Sequence, residues 1–330
     1  MNFKNKTILI SGGTGSWGQE LTTQLLKFNP KEIRIYSRGE LAQVKMKREF
    51  NNPKLKFIIG DVRDYEAIHW ACKNVNYVFH LAALKHVPVC EEQPNEAIKT
   101  NIVGTQNIIK SAIYNNVEEV IDVSSDKACS PINLYGMTKA VGEKLITNAS
   151  TYSNETKFMV IRGGNAMGSN GSVIPLFINQ IKQHNKITIT DERMTRFFIT
   201  LPEAIQLLFI ATGSVNGGLF VMKMPACKIL DLALVLIEHY GNKDTKIEEI
   251  GIRPGEKLHE VLVSKDEVIN TYKYKDNYYL IYPNQDLLYN NKEISNNKEI
   301  EVDFKEYSSN QNLMDKIAIK DLLIRGGFII

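Results

Sequence analysis

The segment TILISGGTGSWGQELTTQLLKFNPKEIRIYS, residues 7–37, constrains the fold more than any other. A β-branched run leads into glycines spaced G-x-x-G-x-x-G, then into an amphipathic stretch, then into a second β-branched run. Two strands joined by one helix-length crossover lie parallel, because the right-handed connection returns the chain beside its start. The rhythm repeats, with strand-like runs at 7–11, 32–37, 56–60, 77–82, 119–124 and 158–162, and helical patterns near 17–28, 64–74, 94–115 and 134–150. A doubly wound α/β parallel sheet is expected, with residues 1–165 as one domain and 166–330 mainly as a smaller one. A segment at about 200–225, including a strand near 218–223, is expected to return to the main sheet.

The turn between the first strand and first helix supplies the first functional reading. Gly12, Gly15 and Gly18 allow a sharp turn, a close backbone approach to pyrophosphate and tight helix packing, with Thr14, Ser16 and Trp17 between them. At the end of the second strand, Ser37 and Arg38 suit a 2′-phosphate, which favours NADP, while Glu40 keeps NAD open. Asp61 and Val62 follow the third strand, placed for an adenine amino group and ring, with a helix cap as the plainer reading of Asp61. Ala82, Ala83 and Lys85 follow the fourth strand and complete the expected cofactor wall.

After the fifth strand comes SSDKACSPINLYGMTK, residues 124–139. Tyr135 and Lys139 are one helical turn apart, and an ammonium there is expected to favour the phenolate of a catalytic base. A second ionisable pair, Asp126 and Lys127, stands just upstream, with a strand-end salt bridge as its plainer reading.

With these motifs the chain resembles an extended short-chain dehydrogenase/reductase, a Rossmann fold. More narrowly, SRGELAQ, GDVRD, AALKHVP, KTNIVGT, the 124–139 block, GSVIPLF, TDERMTRFFIT and GIRPGEKLHE resemble the inverting UDP-N-acetylglucosamine 4,6-dehydratases of pseudaminic acid and related polysaccharide biosynthesis. The resemblance implies a cytoplasmic lyase with a tightly bound, recycled cofactor, NADP or NAD, acting on a UDP-sugar as a homo-oligomer, dimer or hexamer. It implies Tyr135, tuned by Lys139, for oxidation at C4, and Ser125 beside the C4 oxygen. Lys127 is assigned the C5 proton and Asp126 the C6 hydroxyl, with the division between these two left open. Lys85, Asn165, Ser172, Val173, Arg196, Arg253 and Glu256 are implied as sugar-nucleotide ligands. Arg253 leads for the diphosphate, Arg196 and Lys257 stand lower as candidates for surface ion pairs, and His86 is not taken as catalytic.

Composition removes other classes. Forty Lys and Arg stand against 37 Asp and Glu with no long like-charge run, so nucleic acid is not an expected partner. The longest apolar stretches, such as 204–212, fall far short of the roughly 18 residues of a membrane span. Four scattered cysteines without ligand spacing give no expectation of a metal. Departures from the group at Leu81, Cys129, Ser130, Gly163 and Asn170 are expected around the site's rim. They keep open a sister enzyme working on a dehydratase product or unsaturated intermediate, by C5 epimerisation or C4 redox. A simple 4-epimerase and a non-catalytic dinucleotide sensor are the remaining rivals. Residues 271–310 are expected to form exposed loops and a terminal hairpin, followed by an apolar C-terminal segment docked on the smaller domain.

Overall fold

The structure, a computed structural model, describes residues 3–169, 171–282 and 301–329. The expected alternation is present: β1 (Thr7–Ser11), α1 (Ser16–Leu26), β2 (Glu32–Ser37), α2 (Glu40–Phe50), β3 (Leu55–Ile59), α3 (Tyr65–Ala71) and β4 (Tyr77–His80). Two short helices, α4 (Val87–Glu92) and α5 (Pro94–Ile98), precede a π-helical turn over Lys99–Val103 and α6 (Gly104–Tyr114). Next come β5 (Glu119–Val123), α7 (Leu134–Tyr152) and β6 (Lys157–Arg162).

These strands order as β6-β5-β4-β1-β2-β3, all parallel, with every residue of β1 buried. Continuous Val, Ile and Leu in the central strands is what burial on both faces requires. The helix α2, over ELAQVKMKREF, has no counterpart among the helical patterns expected from sequence. It is mostly polar and charged, and only Gln43 and Met46 are buried, so its apolar face is too thin to give a period.

The second half is less regular: β7 (Asn165–Ala166), α8 (Val173–His184), β8 (Lys186–Ile189), β9 (Thr195–Ile199) and α9 (Leu201–Ala211). Then β10 (Leu219–Met222) adds parallel to β6 in the main sheet. The chain continues through β11 (Ala226–Lys228), α10 (Ile229–Tyr240), β12 (Lys246–Glu249), β13 (Val261–Val263), β14 (Thr271–Tyr274), β15 (Tyr278–Ile281), β16 (Tyr307–Ser308) and α11 (Lys316–Arg325). Residues 271–281 are not exposed loop: β15 pairs antiparallel with β10, and β14 closes that edge of the sheet. Tyr278 and Leu280 are fully buried there, so alternate tyrosines and aliphatics serve as core. Residues 283–300, which hold most of the NNKEISNNKEIE run, lie outside the described residues.

A second core gathers Ile174, Phe177, Ile187, Leu232, Leu236, Leu322 and Leu323 from α8, β8, α10 and α11, so the C-terminal helix packs on α10. No helix among the described residues is long and apolar enough to cross a membrane.

Candidate active site

A cavity of about 840 Å³ runs from the glycine turn, across the carboxyl ends of β4 and β5, to the 253–260 segment. Its cofactor end is built from glycines that nothing larger replaces. Gly12 has φ +69°, and a Cβ there would lie 2.9 Å from the Ala82 backbone. A Cβ on Gly18 would lie 2.3 Å from the Gly13 carbonyl oxygen. The chain therefore packs backbone on backbone, and Gly15 stands at the N-cap of α1 with no side chain to cap its N–H groups. An open helix N-terminus beside bare backbone is a cradle for pyrophosphate. Thr14, Ser16, Trp17, Ala82 and Ala83 line it as well.

At the far end of that cradle, Ser37 Oγ accepts from Gln43 Nε2 at 3.1 Å, and the half-exposed Arg38 lies 3.8 Å from Asp61. Asp61 lines the cavity but is not the helix cap. Its carboxylate takes three hydrogen bonds from Arg63, and Asp64 rather than Asp61 caps α3. Burial favours the neutral acid, but the Arg63 hydrogen bonds and charge, with Arg38, hold Asp61 below the usual carboxylate range. Val62 lines the cavity while packing under Gly104.

The 124–139 block is arranged by α7 and the 3₁₀ turn over Asp126–Ala128. Asn133 caps α7 by accepting from Gly136 N–H at 2.8 Å, and donates to the Gly255 carbonyl. A Cβ at Gly136 would sit 2.2 Å from the Lys127 carbonyl oxygen, so this glycine brings the helix carrying Tyr135 under the Asp126–Lys127 turn. The sequence reading passed over Gly136, whose role depends on a contact between segments.

Tyr135 lines the cavity and is 9% exposed. Lys139 pulls the phenol toward the phenolate, the direction expected from Y-x-x-x-K, but burial opposes it. Burial raises the phenol above its ordinary value and outweighs Lys139, the Ser125 hydrogen bond and Lys127, which pull the other way. Behind Tyr135, the Lys139 ammonium is 3.3 Å from Asp122 Oδ2, a carboxylate with no exposure at all. Part of the lysine's field is cancelled by that counter-charge. Beside it, burial lowers His80 to about 4, so its ring is neutral, fixed between Ser11 Oγ at 2.7 Å and Thr105 Oγ1 at 3.2 Å. Neither Lys139 nor Asp126 lines the cavity.

Asp126, 1% exposed, accepts from Ser125 Oγ at 2.9 Å and from Lys127 Nζ at 3.0 Å. Both contacts fall on Oδ1, which ties the carboxylate to Ser125 and Lys127, while Oδ2 makes no hydrogen bond among the described residues. Ser125 and Lys127 do line the cavity, and a second carboxylate, Glu260, holds Lys127 Nζ at 3.3 Å. Burial disfavours the Lys127 ammonium, but Asp126 and Glu260 more than compensate and raise it above its ordinary value. Glu260 is the last residue of the GIRPGEKLHE block, yet nothing in the spacing distinguishes it from the other charges there.

Lys85, Asn165, Ser172, Val173, Arg196, Arg253 and Glu256 all line the same cavity. Ser172 and Val173 open α8 with no side-chain cap. Arg196 is not a surface charge: it is 8% exposed, donates to the Thr195 and Leu258 carbonyls, and stands 3.6 Å from Glu260. Arg253 reaches in from an exposed loop whose turn is closed by its own N–H donating to Glu256. Lys257 donates to the Cys129 carbonyl instead. His86 lines the rim, its ring beneath Gly171. Of the departures, Leu81 and Gly163 line the cavity, whereas Cys129 is buried against Glu267 and Ser130 is exposed. Asn170 lies outside the described residues.

Residues 8–282 match the model of a family described as polysaccharide biosynthesis protein. The chain belongs to that family. It is 46% identical over 286 residues to a UDP-N-acetylglucosamine 4,6-dehydratase (inverting) of Campylobacter jejuni, covering 85% of this chain and 84% of that protein. It is 45% identical over 330 residues to a protein named UDP-glucose 4-epimerase in Rickettsia rickettsii, covering 98% and 96%. Among solved structures, Pen from Bacillus thuringiensis aligns with a TM-score of 0.90 at 41% identity, over 98% of this chain and all of that one. The extended short-chain dehydrogenase/reductase fold and the resemblance to inverting dehydratases, both expected from the motifs, are thereby shown.

Proposed function

We propose that the protein is a UDP-N-acetylglucosamine 4,6-dehydratase of the C5-inverting kind, a lyase. The observation that carries the reading is Lys127, an ammonium on the cavity wall held by two buried carboxylates in the same cavity as Tyr135. A 4-epimerase, the activity named for the Rickettsia relative, needs oxidation and reduction at C4 but gives no work to such a group.

The glycine cradle, Ser37 and Arg38 would hold the dinucleotide, with Arg38 favouring NADP through its 2′-phosphate. When bound, that cofactor supplies hydride acceptance from C4 and hydride return to C6, and C5 regains a proton on the face opposite the one it lost. Tyr135, in the phenolate form that Lys139, Lys127 and the Ser125 hydrogen bond favour against burial, takes the C4 hydroxyl proton. The ketone at C4 then acidifies the C5 proton. Lys127 can give one ammonium proton to the departing C6 oxygen and regain one from C5, so that water leaves and the ammonium is restored. Asp126 serves from behind, through Ser125 and Lys127, rather than by touching C6. Arg253 and the α8 N-terminus would receive the diphosphate.

The same reading includes a homo-oligomer, for which the exposed Ile98, Val103, Met137 and Val141 supply apolar surface. Purified protein mixed with UDP-N-acetylglucosamine tests the activity by proton NMR. A C6 methyl signal without added reductant is the expected result. No change until the product of another dehydratase is supplied would favour the sister enzyme instead.

A further inference from the structure

Among the described residues, Glu260 is the strongly buried carboxylate that the second half of the chain brings to the reacting end of the cavity. It is 2% exposed and precedes β13. Its backbone is fixed from both sides by the C-terminal segment: Glu260 N–H donates to Ser309 Oγ at 2.9 Å, and Ser309 N–H donates to the Glu260 carbonyl at 2.8 Å. Ser309 Oγ in turn bonds Thr195 Oγ1 at 2.7 Å, which ties the segment to the start of β9, the strand that carries Arg196.

One carboxylate oxygen, Oε1, faces both cations, 3.3 Å from Lys127 Nζ and 3.6 Å from Arg196 Nε. The other, Oε2, is buried and makes no hydrogen bond among the described residues; Asp126 Oδ2 is in the same condition. Two acids, each with an unsatisfied buried oxygen, are a costly way to fasten one lysine, and folds retain such costs where the charges act. The groups facing Lys127 are Asp126 on its own turn, Glu260 beside β13, Arg196 on β9 and Tyr135 on α7. Of these four, only the two carboxylates oppose the loss of its proton.

We propose that Glu260 is the positioning residue for Lys127: with Asp126 it clamps the ammonium between carboxylates from opposite halves of the chain, so that the proton-transfer group is complete only when the C-terminal segment is docked. The catalytic consequence rests on the dehydratase reading; the clamp itself does not. Lys127 gives its proton to C6 as an ammonium, so turnover is lost as pH rises through its titration. Removing the Glu260 charge takes away support for the charged form, which moves that alkaline limb to lower pH.

Two measurements on the full chain test the clamp in Glu260→Gln and Glu260→Asp, with dinucleotide binding as the control for folding. The first is the pH–rate profile on UDP-N-acetylglucosamine. The second is acylation of Lys127 by acetic anhydride across pH, read by peptide mass spectrometry. It needs no turnover, because only the neutral amine reacts. Glu260→Gln is expected to move both limbs down by about one pH unit, roughly a tenfold gain in Lys127 labelling at fixed pH. Glu260→Asp moves them the same way by less, and carries the test by itself if the glutamine variant does not fold. Labelling unchanged from wild type in the folded variants overturns the proposal. Wild-type inactivity towards the sugar overturns the dehydratase reading alone, leaving the labelling to decide the clamp.

Discussion

Arg162, fully buried at the end of β6, is held by two glutamates from distant parts of the chain. Glu143 on α7 takes its Nε at 2.9 Å and its Nη2 at 2.6 Å, and Glu267 takes Nη1 and Nη2 at 2.9 Å each. The triad therefore locks the helix bearing Tyr135 and Lys139 to the segment that follows Glu260. Burial alone would raise the Glu267 carboxyl, but Arg162, the Ser264 N–H and the Cys129 thiol lower it from 4.5 to about 2. A folded-state value depressed by that much corresponds to about 3 kcal/mol of stability. The sign follows from the depression. The contribution is complete above the unfolded value, near 4.5, and disappears as pH falls through about 2.

Glu267→Gln should thus cost about 3 kcal/mol at pH 7, with up to about 5 if Arg162 is left poorly compensated. Urea unfolding of both proteins at a series of pH values from 7 to 2.5 measures the gap. It should hold steady down to about pH 5 and then close, because the wild type loses on acidification what the variant never had. A gap that stays constant to the lowest pH would refute the argument, since the loss would then come from packing rather than from charge.

Gly18→Ala places a carbon 2.3 Å from the Gly13 carbonyl oxygen and should weaken dinucleotide binding roughly tenfold or more in a calorimetric titration. Gly142→Ala, whose added carbon meets nothing nearer than 3.7 Å, should leave binding unchanged. Arg38→Ala should lower NADP affinity by roughly tenfold while sparing NAD; equal losses for both would remove the 2′-phosphate contact. Asp122→Asn strands the buried Lys139 ammonium and should cost about 3–5 kcal/mol in the same urea assay.

Local chemistry alone made much of this molecule legible. Short continuous β-branched runs and glycine spacing specify the parallel core from β1 to β6, because each strand and crossover helix is a local pattern read against a fixed handedness. The same holds for Tyr135 and Lys139, whose meeting is set by helix pitch, and for the cradle at Gly12, Gly15 and Gly18. What escaped was set by contacts between segments far apart in the chain. The stretch holding β14 and β15, expected as exposed loops and a terminal hairpin, gave no sign of being buried because its tyrosines are core only once β10 is beside them. The packing of its turn sets Asp126 against Ser125 and Lys127, which no spacing foretells. Asp122 and Glu260 had no distinguishing signal at all, since a carboxylate acquires its function from the cation that tertiary structure sets against it. The sequence by itself thus determined the strands and crossovers of the parallel core and where the cradle stands; only tertiary packing decided which charges meet, because electrostatic pairing depends on distance in space and not along the chain.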